Sequence, residues 1–218
     1  MKVTDVKMET YRWQRPKPIR NGRYIYPTAG LDVIKIETDE GISGIGLSGG
    51  VQEAEDIGRS ILEHLKQYVI GQDPFDNERI WEEMWQPKLI GRRGITTRVI
   101  SGIDIALWDI TGKALNKPVY ELLGGNLRDD VDMYANGWFD GCETPEQYAD
   151  SARKIVLTAG HTALKFDPFP EHEDGYLSGG LSEDGAEKAS DIVAAVREVV
   201  GPKHEILIDA HGRFNVPT

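Results

Sequence analysis

The sequence predicts an α+β region followed by alternating strand–helix units of a parallel sheet or barrel. Three patterns point there. The first 50 residues alternate and are rich in β-branched side chains, residues from about 53 to 123 repeat apolar side chains at helical spacing, and strand and helix patterns alternate after Arg128. Hydrophobic residues make up 39 % of the 218 and charged residues 28 %, a composition that supports a soluble chain with a real core. The 25 basic residues are outnumbered by 36 acidic ones, for a net charge of −11. That balance argues against nucleic-acid and anionic-membrane partners, which need a cationic face to displace counterions. Cys142 is the only cysteine, so neither an intrachain disulfide nor a cysteine-cluster metal site can form. No apolar run approaches the roughly 18 residues that span a bilayer. Asp5 and Glu9 stand where a signal peptide would need an apolar stretch. The expectation is a soluble, cytoplasmic protein.

Taken in order, Val6-Lys7-Met8-Glu9 and Val33-Ile34-Lys35-Ile36-Glu37 read as strands. Thr38-Asp39-Glu40-Gly41 then offers a turn before Ser43-Gly44-Ile45-Gly46, so an antiparallel three-stranded meander is expected. Between the first two strands, residues 15–30 are rich in proline, glycine, arginine and tyrosine and read as a long loop. Ile57, Ile61, Leu65 and Tyr68 predict one amphipathic helix, stopped by Gly71-Gln72-Asp73-Pro74. Ile100, Ile103, Leu107 and Ile110 predict another. Pro118 suits the first turn of a short helix, and Gly124-Gly125 its end. Residues 131–135 then read as a strand, and Thr144-Pro145-Glu146 opens a helix ending near Gly160. Residues 162–166 form a second strand, 183–200 a second helix and 205–209 a third strand. Three strands and two helices cannot close a barrel, which takes about 250 residues. The barrel is therefore expected to be incomplete here.

The carboxyl ends of parallel strands are where α/β folds build active sites. Asp209 and His211 follow the apolar Ile206-Leu207-Ile208, and the period of two places them on one side. A carboxylate there suits a hard cation such as Mg²⁺, and a histidine suits acid–base chemistry. The alternative is a turn-starting aspartate and a solvated histidine. Lys165 and Asp167 likewise share a face at the end of the preceding strand. A lysine inside a barrel needs either a ligand or an ion pair, with Asp167 or with Asp209. Arg15, Lys17, Arg20, Arg23, Tyr24 and Tyr26 make the 15–30 segment a cationic patch suited to a carboxylate ligand, or else a plain solvated loop. Glu171-His172-Glu173-Asp174 is metal-like in composition but sits in a Pro/Gly-rich loop and reads as exposed. The glycines of Gly44-Ile45-Gly46-Leu47-Ser48-Gly49-Gly50 lack a following lysine, so no phosphate loop is expected. Asp104, Trp108 and Asp109 read as packing and capping residues.

A longer motif adds to this. Ser101-Gly102-Ile103-Asp104-Ile105-Ala106-Leu107-Trp108-Asp109-Ile110-Thr111-Gly112-Lys113, then Pro118-Val119-Tyr120-Glu121-Leu122-Leu123-Gly124-Gly125, resembles the signature of the mandelate racemase/muconate lactonizing group of the enolase superfamily. The resemblance implies an α+β capping domain, residues 1–128, followed by the first βα units of a (β/α)7β TIM-like barrel, residues 129–218. Asp209 then matches the first of three carboxylate ligands to an essential Mg²⁺, the other two lying on later strands. Asp209-Ala210-His211-Gly212-Arg213 is most similar to the galactonate-type acid-sugar dehydratases, in which the histidine protonates the departing hydroxyl. Lys165 matches the first lysine of a Lys-x-Lys motif. Asp167 stands in place of the second lysine, the proton-abstracting base of the racemases and cycloisomerases. In the dehydratases the base is a histidine on a later strand. What the resemblance implies is a Mg²⁺-dependent dehydratase of a galactonate-like sugar acid, with His211 and Lys165 catalytic and Asp209 on the metal. Arg20, Arg23, Tyr24, Tyr26 and Asp167 are then the candidates to bind substrate. A homo-oligomer with a small-molecule sugar acid as its partner is expected. An epimerase, racemase or cycloisomerase of the same superfamily is the enzymatic alternative, and a non-catalytic fragment the other.

Overall fold

The computed structural model describes residues 1–21, 24–48, 55–86, 94–169 and 179–218. Two compact units divide the chain: Met1–Arg15 with Thr28–Asp129, and Pro16–Pro27 with Asp130–Thr218. Among the described residues, no helix is long and apolar enough to cross a membrane.

The first unit is built on a sheet of order β1-β2-β3, from β1 (Val3–Asn21), β2 (Tyr24–Thr38) and β3 (Ser43–Leu47), of which residues 16–21 and 24–27 fall in the second unit. β2 and β3 pair antiparallel, with Lys35 opposite Ile45. The expected loop at residues 15–30 is corrected by this sheet, because β1 and β2 run through nearly all of it as a long two-stranded arm. β1 is an edge strand, and Pro16 and Pro18, two residues apart, turn their missing N–H groups to the same side. An edge can tolerate that, since its outer side has no ladder to lose. Proline content alone therefore misled.

Among the described residues four helices follow: α1 (Glu55–Val69), α2 (Asn77–Trp85), α3 (Ile95–Leu115) and α4 (Val119–Leu122). A 3₁₀ turn at Pro74–Asp76 leads into α2. The α3 stripe is as expected, with Ile100, Ile103, Leu107 and Ile110 all buried. In α1 the buried side chains are Leu62, Leu65 and Val69, whereas Ile57 is exposed, so the expected stripe is rotated. These residues join Val6, Ile34, Ile36, Ile80 and Met84 in one core. β3 alternates, with Gly44 and Gly46 buried while Ile45 and Leu47 face outward. A Cβ on Gly44 would lie 2.0 Å from the Ala106 carbonyl oxygen, and one on Gly46 2.0 Å from that of Gly102. Gly44 and Gly46 thus let strand and helix backbones touch.

The second unit holds three parallel strands in sequential order: β4 (Tyr134–Ala135), β5 (Ala163–Phe166) and β6 (Glu205–Ile208). Helices α5 (Pro145–Ala159) and α6 (Glu183–Val200) fill the two crossovers. Thr144 and Gln147 close a capping box at the start of α5, and Gly160 ends that helix at φ 69°. Leu164 and Phe166 on β5 are fully buried with Ala152, Ile192 and Val196 of the helices. Trp138, Phe139, Tyr148 and Phe166 form an aromatic cluster on the same side. The first strand is shorter than expected, beginning only at Tyr134.

Candidate active site

Alternation along β5 sends Leu164 and Phe166 into the core, leaving Lys165 on the other face. β6 lies beside it with Lys165 opposite Leu207, and the Asp209 N–H extends the pairing by donating to the Phe166 carbonyl at 3.0 Å. The Lys165 ammonium therefore reaches Asp209 across the strand ends, with Nζ 2.5 Å from Oδ2 and 5.9 Å from the centre of the Tyr134 ring. Of the two ion pairs open to Lys165, the structure has the one with Asp209. That contact holds the Lys165 ammonium above the usual lysine range. It likewise holds the Asp209 carboxyl below the usual carboxylate range, helped by the His211 backbone N–H.

His211 reaches the site by a route that strand alternation does not describe. β6 ends at Ile208, and His211 sits in the left-handed region at φ 51°. Asp209 Oδ1 accepts the His211 backbone N–H at 2.9 Å, closing a tight turn that folds the histidine back over the strand end. Its ring then lies between two carboxylates. Nε2 is 3.7 Å from Asp209 Oδ2, and Nδ1 is 3.2 Å from Asp167 Oδ2.

Asp167 is nearly buried, and its other oxygen, Oδ1, accepts the Phe169 N–H at 3.1 Å and a short ion-paired hydrogen bond from Arg213 Nη2. The Arg213 guanidinium lies 5.3 Å from the Phe169 ring centre and 5.5 Å from that of Phe214, and its Nε donates to the Ala210 carbonyl. Tyr148 of α5 donates to the Asp167 carbonyl oxygen. Lys165, Asp167, Asp209 and His211 are thus brought together at the strand ends. Asp167 turns its carboxylate to Arg213 and His211, not to the open face that Lys165 shares with Asp209.

The arm residues are less fully placed. Arg23 lies outside the described residues, as do the side chains of Arg20 and Tyr24; Tyr26 is half-buried. Two cations of the expected patch are engaged by protein groups. Lys17 pairs with Asp140 at 3.1 Å, and Arg15 donates to the Thr28 carbonyl. Glu171-His172-Glu173-Asp174 also lies outside the described residues. Asp109 packs as expected but caps no helix: from the interior of α3 it accepts the Ile45 N–H of β3 at 2.9 Å and pairs with Lys113.

Asp209 suits Mg²⁺ as one ligand, being a partly exposed hard-oxygen donor, although Lys165 Nζ shares its Oδ2 here. Among the described residues no group of three acidic, histidine or cysteine side chains could hold a metal ion, so a complete oxygen shell is not present there. Sequence reasoning named Arg213 only as part of a motif and missed its clamp on Asp167. The signal was its place two residues after the histidine, on the same turn.

Comparisons with known proteins agree with this architecture. Residues 3–124 match the mandelate racemase/muconate lactonizing enzyme N-terminal domain, and residues 147–218 match an enolase C-terminal domain-like family. A D-gluconate dehydratase of Thermoproteus tenax is 42 % identical over 157 residues, covering 72 % of this chain and 30 % of the relative. A D-galactonate dehydratase of Pectobacterium atrosepticum is 36 % identical over 190 residues, covering 84 % of this chain and 46 % of the relative. The solved structure of an enolase superfamily member from Salmonella Typhimurium gives a TM-score of 0.79 at 34 % identity, covering 98 % of this chain and 56 % of that one. The chain thus spans less than half the length of these two curated relatives. With its N-terminal domain matched over more than half its length, the chain belongs to the mandelate racemase/muconate lactonizing enzyme family of the enolase superfamily.

Proposed function

We propose that this chain carries the capping domain (residues 1–128) and the opening strands (residues 129–218) of a (β/α)7β-barrel enzyme that dehydrates an aldonate-type sugar acid to a 2-keto-3-deoxy acid. The observation behind this reading is the His211 ring beside Asp209 at the end of β6, with Nε2 3.7 Å from Oδ2. The names of the relatives, D-gluconate and D-galactonate dehydratase, point to the same substrate class. Departure from Lys-x-Lys at Asp167 disfavours the racemase and cycloisomerase alternatives.

In this reading Asp209 supplies one carboxylate ligand to Mg²⁺, which when bound neutralises negative charge at the substrate carboxylate. Lys165 adds a second positive charge beside Asp209, on the face where that carboxylate binds. The α-proton leaves to a base outside these strands, and its electron pair is held as the ene-diolate. As the pair moves to form the Cα–Cβ double bond, the Cβ–O bond breaks. His211 gives its Nε2 proton to the departing hydroxyl, which leaves as water. The resulting enol tautomerises to the keto acid. Arg20, Arg23, Tyr24 and Tyr26 are the candidates to bind the distal hydroxyls in this reading.

The test is Asp209→Asn in the full-length protein, assayed with D-gluconate and D-galactonate across a Mg²⁺ titration. The expected outcome is loss of nearly all turnover and of most Mg²⁺ affinity with the fold intact by circular dichroism. Near-normal turnover at saturating Mg²⁺ contradicts the assignment.

A further inference from the structure

We infer that Asp167 is a positioning residue that fixes the orientation and tautomer of His211, with Arg213 as the clamp that holds Asp167 in place. The inference deepens the dehydratase reading, since it concerns the same histidine, but its test needs no turnover. Three features of the geometry support it. Asp167 is nearly buried and its two oxygens face different partners, Oδ1 towards Arg213 and the Phe169 N–H, and Oδ2 towards His211. Arg213 is itself 7 % exposed and braced by Phe169, Phe214 and the Ala210 carbonyl, so the carboxylate cannot swing away. The left-handed turn at His211 fixes the backbone end of the same side chain, leaving the ring orientation to its Nδ1 contact.

The chemistry follows from donor and acceptor roles. A carboxylate oxygen paired with a guanidinium only accepts, so the ring nitrogen facing Asp167 must carry the hydrogen. His211 is thereby the Nδ1–H tautomer when neutral, and Nε2 is the nitrogen directed to the Asp209 side. In that tautomer Nε2 is the acceptor, so the proton delivered to a leaving hydroxyl is the second one, carried on Nε2 of the imidazolium. A bystander carboxylate would not set this choice. An aspartate that orients a catalytic imidazole in serine hydrolases works by the same logic, and its asparagine variant fails by forcing the wrong tautomer. The constraint at Asp167 is tighter still, because two donors share one oxygen position and in Asp167→Asn both hold the single amide oxygen there. Arg213 and the Phe169 N–H both require an acceptor at the Oδ1 position. The amide NH₂ group is left to face His211 Nδ1, which must then be an acceptor.

The experiment is long-range ¹H–¹⁵N correlation NMR of the histidine-labelled full-length protein, recorded as a pH series so that the neutral form of His211 is identified by its own ring shifts. His211 is assigned by the signals lost in His211→Gln. The wild type should show Nδ1–H. Asp167→Asn should exchange the two ring nitrogen shifts and show Nε2–H. Arg213→Met removes the clamp but keeps the carboxylate, and should retain Nδ1–H. Nε2–H in the wild type, or the same tautomer in all three proteins, overturns the inference. If either variant fails to fold, the wild-type spectrum alone decides. Failure of the dehydratase reading leaves these spectra unchanged, so the two claims fail separately.

Discussion

The seam between β3 and α3 and the carboxyl ends of β5 and β6 are held together by opposite means. At the seam, Gly44 and Gly46 meet the backbone of Ala106 and Gly102, with the Ile110 side chain packed beside Gly44. At the strand ends, five side chains (Lys165, Asp167, Asp209, His211 and Arg213) are locked to one another by charge and hydrogen bonds. The first region is specified by what its residues lack and tolerates no added atom. The second is specified by paired charges, and it separates into a nearly buried pair and an accessible one. Asp167 and Arg213 are 10 % and 7 % exposed, against 28 % and 23 % for Asp209 and Lys165. In the proposed reading the buried pair secures the structure and the accessible pair carries the chemistry.

Breaking the buried pair should have the largest effect on stability. Arg213→Met leaves the Asp167 carboxylate desolvated without its cation, at a cost of about 3 kcal/mol, read as a Tm drop of roughly 6–12 °C. Gly46→Ala comes next, because its methyl would enter a carbonyl oxygen's volume and force the strand off the helix; overpacking of this kind costs about 2 kcal/mol. A urea titration that finds either variant within about 0.5 kcal/mol of wild type, the range of ordinary surface substitutions, removes the contrast. Lys165→Met should cost less than about 1 kcal/mol, since its partner remains solvated. If that loss matched Arg213→Met, the distinction between buried and accessible pairs would collapse. The smallest effect is expected at Asp104, whose carboxyl is pushed up by burial in α3. A raised acid means the folded state binds the extra proton, so its contribution falls as pH climbs from the ordinary aspartate range through the raised value. Asp104→Asn should therefore gain stability over wild type at neutral pH and lose that advantage in acid. Parallel Tm curves for the two proteins would contradict this.

How much of this was legible in the sequence depended on the range of the forces involved. α6 occupies Glu183–Val200, the expected span, because cap and stop signals lie at its ends, with Ser182 accepting the Gly185 N–H and Gly201 closing the last turn. The α3 stripe was equally local. β4 was overextended because Val131 and Met133 have strand character yet remain largely exposed, and nothing in a short apolar run says where pairing begins. The arm was misread because proline and glycine mark loops by frequency, whereas an edge strand accepts proline by geometry. At the site, Asp209, Lys165 and His211 could be chosen from spacing. The Asp167–Arg213 pair could not, since 46 positions separate its members and only the adjacency of β5 and β6 brings them together.

The central claim is that the cluster at the strand ends serves loss of a hydroxyl, with His211 as the acid and the base elsewhere. It is tested most directly by His211→Asn in the full-length protein, incubated with Mg²⁺ and the aldonate substrate in deuterated water. Two readouts are followed: keto-acid formation, and exchange of the α-hydrogen by ¹H NMR. The account predicts that keto acid no longer forms while α-hydrogen exchange persists. Keto-acid formation at the wild-type rate in that variant would contradict it.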